Sequence, residues 1–115
     1  MSGFGRGPIF YSYNKPLTLS IVIPAYNEER RLPSTLDEVF TWLDASLYRD
    51  TEVLVVDDGS TDATAQLVED RAVSEPRLRL IRNPGNCGKG YAVRHGMLKA
   101  EGEWILFSDA DLSAP

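Results

Sequence analysis

The sequence predicts an α/β fold: a three-layer α/β/α sandwich around a mostly parallel sheet, built from about four strands and three helices. Two periodicities support this. Short β-branched or apolar runs recur, and segments with helical spacing of apolar residues separate them. Strands alternating with helices build a parallel sheet covered on both faces through right-handed crossovers. The third observation concerns the residues just after each run: "PAYNEE", "DDGS", "NPGNCGKG" and "DADLS" are polar, acidic or glycine-rich. Ligands in such sheets bind outside the carboxyl ends of the strands, where these four segments would gather.

Met1 to Pro16 is rich in Gly, Ser, Pro and aromatic residues and has no period. It reads as an N-terminal arm (1–16), disordered or docked through Phe4, Ile9, Phe10 and Tyr11. The domain then runs over 17–115. "TLSIVIP" is the first buried strand. "PSTLDEVFTWLDAS" comes next as a helix, with Leu36, Val39, Phe40 and Leu43 on one face and a Ser34/Asp37 capping signal. "TEVLVVDD" is the second strand. "STDATAQLVEDRAV" is the second helix, capped by Ser60 or Asp62, with apolar faces from Ala65, Leu67, Val68 and Val73. "RLRLIR" alternates as an edge strand does. After the Gly-rich loop, "YAVRHGMLKA" is a third helix presenting Ala92, Val93, Gly96, Met97 and Ala100, and "EWILF" is the fourth strand.

The 115 residues make one domain at most, long enough to bury roughly two-thirds of their unfolded surface. The 43% apolar content and mixed charges describe a soluble globular chain. The longest apolar runs fall far short of the ~20 residues that span a bilayer, and no signal peptide opens the sequence. One cysteine, Cys87, excludes an internal disulfide and fits a reducing, cytoplasmic setting. The net charge of -5 argues against nucleic acid as a partner. Yet residues 71–100 hold seven basic side chains against one acid, a local excess suited to a phosphate-bearing ligand. For Arg71, Arg77 and Arg79, solvated charges around a loop are the plainer explanation.

Asp109 and Asp111 are the sharpest chemical signal. In an extended segment residues i and i+2 point the same way, so both carboxylates reach one point beyond the sheet. Two carboxylates suit a Mg²⁺ or Mn²⁺ ion that completes its shell with water and diphosphate oxygens. Such an ion neutralises charge on a diphosphate leaving group. A turn with two solvated acids fits the short motif equally well. In "DDGSTD", Asp58 is placed to accept from a base imide or ribose hydroxyl, whereas Asp57 orders the turn. In "PAYNEE", the Tyr26 ring could stack on a planar base, with Glu28 nearby, although a loop Tyr is usually just packed. "NPGNCGKG" sets Lys89 at a helix start, where backbone amides favour an anion. It is not a Walker loop, since Gly85 and Gly88 are too close and Gly90 follows the lysine. His95 reads as a surface or packing residue. Cys87 lacks an evident base partner and is no nucleophile candidate.

A dinucleotide oxidoreductase would carry G-x-G-x-x-G after the first strand, where "PAYNEE" stands. "GFGRG" precedes any strand. A sugar nucleotidyltransferase would want a Gly-rich, Arg-bearing loop at the same place, and a phosphate-sensing scaffold would need no Asp pair. Nucleotide-sugar chemistry remains.

The ordered set "LSIVIPAYNEERRL", "EVLVVDDGSTDAT", "NPGNCGKGYAVRHGML" and "GEWILFSDADLSAP" resembles the successive motifs of the family 2 glycosyltransferases. Their fold is the Rossmann-like GT-A type, with sheet order beginning 3-2-1-4. Within the family, the motifs look most like the synthases that load a sugar onto polyprenyl or dolichyl phosphate. The resemblance covers about residues 18–115 and implies an inverting hexosyltransferase that takes a UDP- or GDP-sugar. It implies that Pro24, Ala25, Tyr26 and Glu28 line the base and ribose pocket, joined by Asp57 and Asp58 of "DDGS", with Asp58 accepting from the base. Lys89 would lie near the nucleotide or its diphosphate. Asp109 would sit by the ribose and the metal (Mg²⁺ or Mn²⁺), with Asp111 a direct metal ligand. Mannosyl relatives often carry Gln where this sequence has Ser113, so the likeness leans toward glucosyl-type or bacterial polyprenyl enzymes.

Members of the family are longer, and the chain therefore reads as the donor-binding half, with little or no transfer activity alone. A catalytic base for a hydroxyl acceptor is unknown in this sequence; a lipid phosphate, anionic already, would need none. In the longer enzyme the resemblance places the site at the cytoplasmic face of a membrane. The sheet order would leave the fourth strand as an apolar edge, inviting a homodimer. The alternative function is a non-catalytic nucleotide- or phosphate-binding module that assembles through that edge.

Overall fold

The computed structural model describes residues 18–110. The elements run β1 (Leu19–Ala25), α1 (Leu32–Asp44), β2 (Glu52–Asp57), α2 (Thr64–Ala72), β3 (Leu78–Arg82), α3 (Lys89–Lys99) and β4 (Trp104–Phe107). All pairings are parallel, and the sheet order is β3-β2-β1-β4. The predicted α/β architecture and strand order are therefore those of the molecule. The arm 1–16 and Asp111 lie outside the described residues.

The pleat of β1 and β2 explains the two-sided core. Ile21, Ile23, Val53 and Val55 face α1 and α2, packing with Leu32, Leu36, Phe40, Leu43 and Val68. Their neighbours Val22, Leu54 and Val56 point to the other face, against Ala92 of α3 and Ile81. Strands buried on both faces need continuous apolar runs, which is why β1 and β2 do not alternate in sequence. Each of these side chains contributes about 1.5–3 kcal/mol by leaving water. α3 packs unusually close to the sheet: a Cβ at Gly96 would stand 2.4 Å from Val22 Cγ1. Only glycine lets the helix approach β1 that nearly.

At the amino ends of the strands, Glu52 ties four segments together. Its carboxylate accepts from Ser20 Oγ at 2.6 Å, from the Glu101 amide at 2.6 Å and from Arg79 at 3.0 Å. Burial raises the Glu52 pKa, but these hydrogen bonds outweigh it and hold the group below the usual carboxylate range.

Several sequence expectations differ in detail. α1 starts before Ser34, with Pro33 in its first turn, where a missing N–H costs nothing. Ser34 sits inside the helix and its hydroxyl donates back to the Arg31 carbonyl. Asp62, rather than Ser60, serves the start of α2, accepting from the Thr64 amide at 2.9 Å. Val73 and Met97, predicted on apolar faces, are exposed, because α2 ends at Ala72 and α3 buries only Ala92 and Gly96. The basic excess over 71–100 is spent largely on ion pairs: Arg71 with Asp37, Arg77 with Asp44 and Glu75, and Arg79 with Glu52. These three arginines are therefore paired with acids of the protein rather than simply solvated around a loop, and Arg71 and Arg79 sit within α2 and β3. No helix among the described residues is long and apolar enough to cross a membrane.

Candidate functional site

A cavity of about 450 Å³ opens at the carboxyl ends of β1 and β4. The strand order reverses between these strands, the place where open α/β sheets take ligands. Seven residues singled out in the sequence line it: Pro24, Ala25, Tyr26, Glu28, Asp58, Lys89 and Asp109. Asn86, Gly88, Ala92 and Ala110 complete the wall. Asn86 and Gly88 fall within the predicted Gly-rich loop. Helical spacing marks Ala92 only as core, and Ala110 is the small residue inside the Asp-x-Asp segment.

The first wall is held by reciprocal stitching of two loops. Asn27 adopts a left-handed conformation (φ 53) that turns the chain after Tyr26. Its side-chain oxygen accepts from the Thr61 amide at 2.8 Å, and its own amide donates to Ser60 Oγ at 2.8 Å. The Glu28 amide donates to Thr64 Oγ1 at 2.9 Å, and Glu29 accepts from the Ala63 amide at 2.9 Å. The "YNEE" and "STDAT" segments are therefore tied together, with Tyr26 left 45% exposed at the cavity. No periodic signal announces Asn27, although an Asn in a loop is the usual non-glycine choice for that conformation.

Asp58 is the centre of the second wall. It is buried, yet its carboxylate is richly served: Oδ1 accepts from Asn83 Nδ2 at 2.7 Å and the Cys87 amide at 2.9 Å, and Oδ2 from the Gly88 amide at 2.9 Å. Burial pushes the Asp58 carboxyl up, but these three donors prevail and keep it below its ordinary range, so it is ionised at neutral pH. Two amides of the Gly-rich loop, expected to serve an anion, thus serve a carboxylate of the protein. The loop also leans on Gly59 (φ 79), where a Cβ would meet Gly85 C at 2.5 Å. Asp57 does not line the cavity. Its side chain is buried, accepts from the Ser60 amide at 3.2 Å and lies 3.7 Å from Arg82 Nε, a turn-ordering role.

The third wall follows β4. Asp109 is exposed, and its Oδ1 receives Lys89 Nζ at 2.7 Å. Behind it, Ala110 is buried and its carbonyl accepts from Thr35 Oγ1 at 2.6 Å. Among the described residues no group of three or more His, Cys, Asp or Glu gathers as a metal cage. A carboxylate oxygen nevertheless fits a hard divalent ion completed by phosphate and water oxygens. The position already draws a cation, the Lys89 ammonium.

The profile of the family described as "Glycosyl transferase family 2" matches residues 20–115. A dolichyl-phosphate beta-glucosyltransferase of Trichomonas vaginalis is 41% identical over 104 residues, covering 86% of this chain and 32% of that protein. The human protein of the same description is 42% identical over 99 residues, covering 81% of this chain and 31% of its own length. The chain thus spans about a third of the curated relatives it matches. Among solved structures, S. aureus TarS in complex with UDP superposes with a TM-score of 0.73 at 32% identity, over 83% of this chain and 28% of that one. The Pyrobaculum calidifontis mannosyltransferase PcManGT, in complex with GDP-Man and Mn2+, gives a TM-score of 0.71 at 29% identity, over 90% and 35%.

Proposed function

The chain belongs to glycosyl transferase family 2, and on that premise we propose that it binds the nucleotide-diphosphate sugar donor of a hexosyl transfer to a polyprenyl or dolichyl phosphate. The observation that carries the reading is the convergence of Tyr26, Asp58, Lys89 and Asp109 on one cavity at the β1/β4 reversal. The relatives named as dolichyl-phosphate glucosyltransferases, and neighbours complexed with UDP or GDP-Man, support the donor and acceptor classes.

In this reading the Tyr26 ring stacks on the base, and Pro24 and Ala25 shape the floor. Asp58 can only accept, so it selects a base edge that presents an N–H. Glu28 takes ribose hydroxyls. Lys89 turns from Asp109 toward the diphosphate, placing positive charge where the leaving group gains negative charge. Asp109 and Asp111 would hold a Mg²⁺ or Mn²⁺ ion, which supplies further charge neutralisation when bound. Displacement at the anomeric carbon by an anionic lipid phosphate inverts the centre, forming the new glycosyl–phosphate bond as the nucleoside diphosphate leaves with the bonding pair. We propose a domain over 17–115 for donor binding, with little transfer by the 115-residue chain alone.

Calorimetry with UDP, GDP and Mn²⁺ tests the reading. Metal-dependent nucleotide binding that Asp109→Asn weakens is expected. A tight site indifferent to metal, or no nucleotide binding at all, would overturn it. A second reading, in which copies assemble through the sheet edge, has one observation in its favour: Trp104, Leu106 and Phe107 of β4 are 61%, 51% and 49% exposed.

A further inference from the structure

Two polar side chains, Asn83 and His95, join Asp58 without themselves lining the cavity. Asn83 follows β3, its amide fixed to the Asp57 carbonyl at 2.9 Å, and its side chain is buried. His95 lies on α3, half-buried, with its Nδ1 2.7 Å from Asn83 Oδ1. Tyr91, one turn earlier, meets the imidazole edge-on at 6.2 Å and 75°. The sequence contains no other histidine.

The hydrogen-bond directions follow from one end of the chain. The Asp58 carboxylate only accepts, so the Asn83 atom facing it is the NH₂ group, which donates at 2.7 Å. The Asn83 oxygen must then face His95, and the ring nitrogen opposite it must donate. His95 therefore carries a hydrogen on Nδ1. The carboxamide is held at both ends, and its planar geometry transfers the orientation of the α3 imidazole to the Asp58 carboxylate. Asp58 in turn grips the amides of Cys87 and Gly88, the loop that lies between β3 and α3 and forms part of the cavity wall.

We propose that His95 and Asn83 are positioning residues of the donor site: the His95 Nδ1–H, acting through the Asn83 carboxamide, fixes the Asp58 carboxylate and the Cys87–Gly88 loop in the conformation that receives the nucleotide. Neither residue touches the ligand. Without the relay, Asp58 keeps the Cys87 amide on Oδ1 and the Gly88 amide on Oδ2 but loses its one donor outside the loop, so carboxylate and loop can shift together. The inference deepens the donor-site reading and rests on it for the ligand, but the relay itself is testable without one.

Imidazole ¹⁵N spectra of the 115-residue chain in mildly alkaline buffer should show the Nδ1–H tautomer, where free histidine favours Nε2–H. Cys87 is exposed and the sole cysteine, so its rate of reaction with a thiol-reactive disulfide dye reports loop opening. His95→Leu should raise that rate and weaken UDP or GDP binding in the presence of Mn²⁺ by ~5-fold, the worth of one hydrogen bond. His95→Asn, which keeps an N–H near the Nδ1 position, should restore both. In an Asn83→Leu background His95→Leu should add nothing, because the signal passes through Asn83. An Nε2–H tautomer, additive losses in the double variant, or a melting-temperature change with no effect on thiol rate would each overturn the proposal. If the unmodified chain binds neither nucleotide, the donor reading falls, while tautomer and thiol rate still decide the relay.

Discussion

Thr35 Oγ1 donates a 2.6 Å hydrogen bond to the carbonyl oxygen of Ala110, 75 residues further along the chain. Both residues are buried, and the bond pins the segment bearing Asp109 against α1. Thr35→Val keeps the shape and removes the donor to the Ala110 carbonyl, at a cost of about 1–3 kcal/mol. We expect chemical denaturation to show that loss, and calorimetry to show weaker metal-dependent nucleotide binding than in a core variant of equal stability, Val68→Ala.

Lys89 and Asp109 form an exposed pair, and such pairs are worth roughly 0–1 kcal/mol. Lys89→Met is therefore predicted to leave the melting temperature nearly unchanged. If Lys89 serves the diphosphate, the same variant weakens UDP binding and spares uridine binding. Equal effects on both ligands would remove Lys89 from the diphosphate site.

Gly59 occupies a conformation that side chains rarely adopt, with the backbone of Gly85 and Asn86 against the space a Cβ would fill. Gly59→Ala combines backbone strain of about 1–3 kcal/mol with displacement of the Gly-rich loop. Nucleotide affinity and stability should fall together. A stable Gly59→Ala protein with unchanged affinity would show that the contact between turn and loop is dispensable.

The pH dependence of stability has a definite sign. Asp58, Glu52, Asp62 and Glu75 all have pKa values lowered by folding. Their ionised forms bind fewer protons in the folded state, so their contribution is present in full above the unfolded values. It is lost as pH falls from about 4 through the lowered folded values. Denaturation midpoints should be flat near neutrality and drop in that acidic window. Glu52→Gln should make the drop shallower, and an unchanged slope would exclude the Glu52 cluster as a contributor.

Among the described residues β4 is an edge of the sheet, beside an apolar groove lined by Ile21, Val39, Trp42, Leu106 and Phe107. Edges of this kind pair with other strands. Light scattering at rising concentration should show a dimer that Leu106→Lys disperses; a monomer throughout counts against pairing through β4.

Much of this was legible in the sequence because apolar periodicity and turn chemistry are local. The runs around Val22 and Val55, and the helical spacing of Leu36, Phe40 and Leu43, fix element type without knowledge of partners. Seven of the eight residues expected to contact a donor line one cavity, and the lean toward glucosyl-type relatives agrees with the curated proteins matched. The misses have one physical origin. Whether Asp58 faces a ligand or a loop, whether Asn83 links it to His95, and whether Asn27 bridges two turns depend on contacts between segments distant in sequence. Asp57 illustrates the ambiguity: the same two-acid motif supplies one cavity residue and one buried turn brace. Helix starts failed similarly, because Ser34 and Pro33 compete for the first turn and local propensity alone does not rank them.

The seam between β1 and β4 joins the most distant parts of the described chain: Thr18 and Glu103 are bonded across 85 residues. Four paired positions, Leu19 to Val22, hold that seam. Closing so long a loop is entropically opposed, and we expect β4 to be the last strand to dock on the β1–β2–β3 sheet and the first to leave it. The cavity straddles this seam. A ligand that touched Tyr26 and Asp109 together would clasp β4 to β1, so its binding energy would also hold the sheet closed.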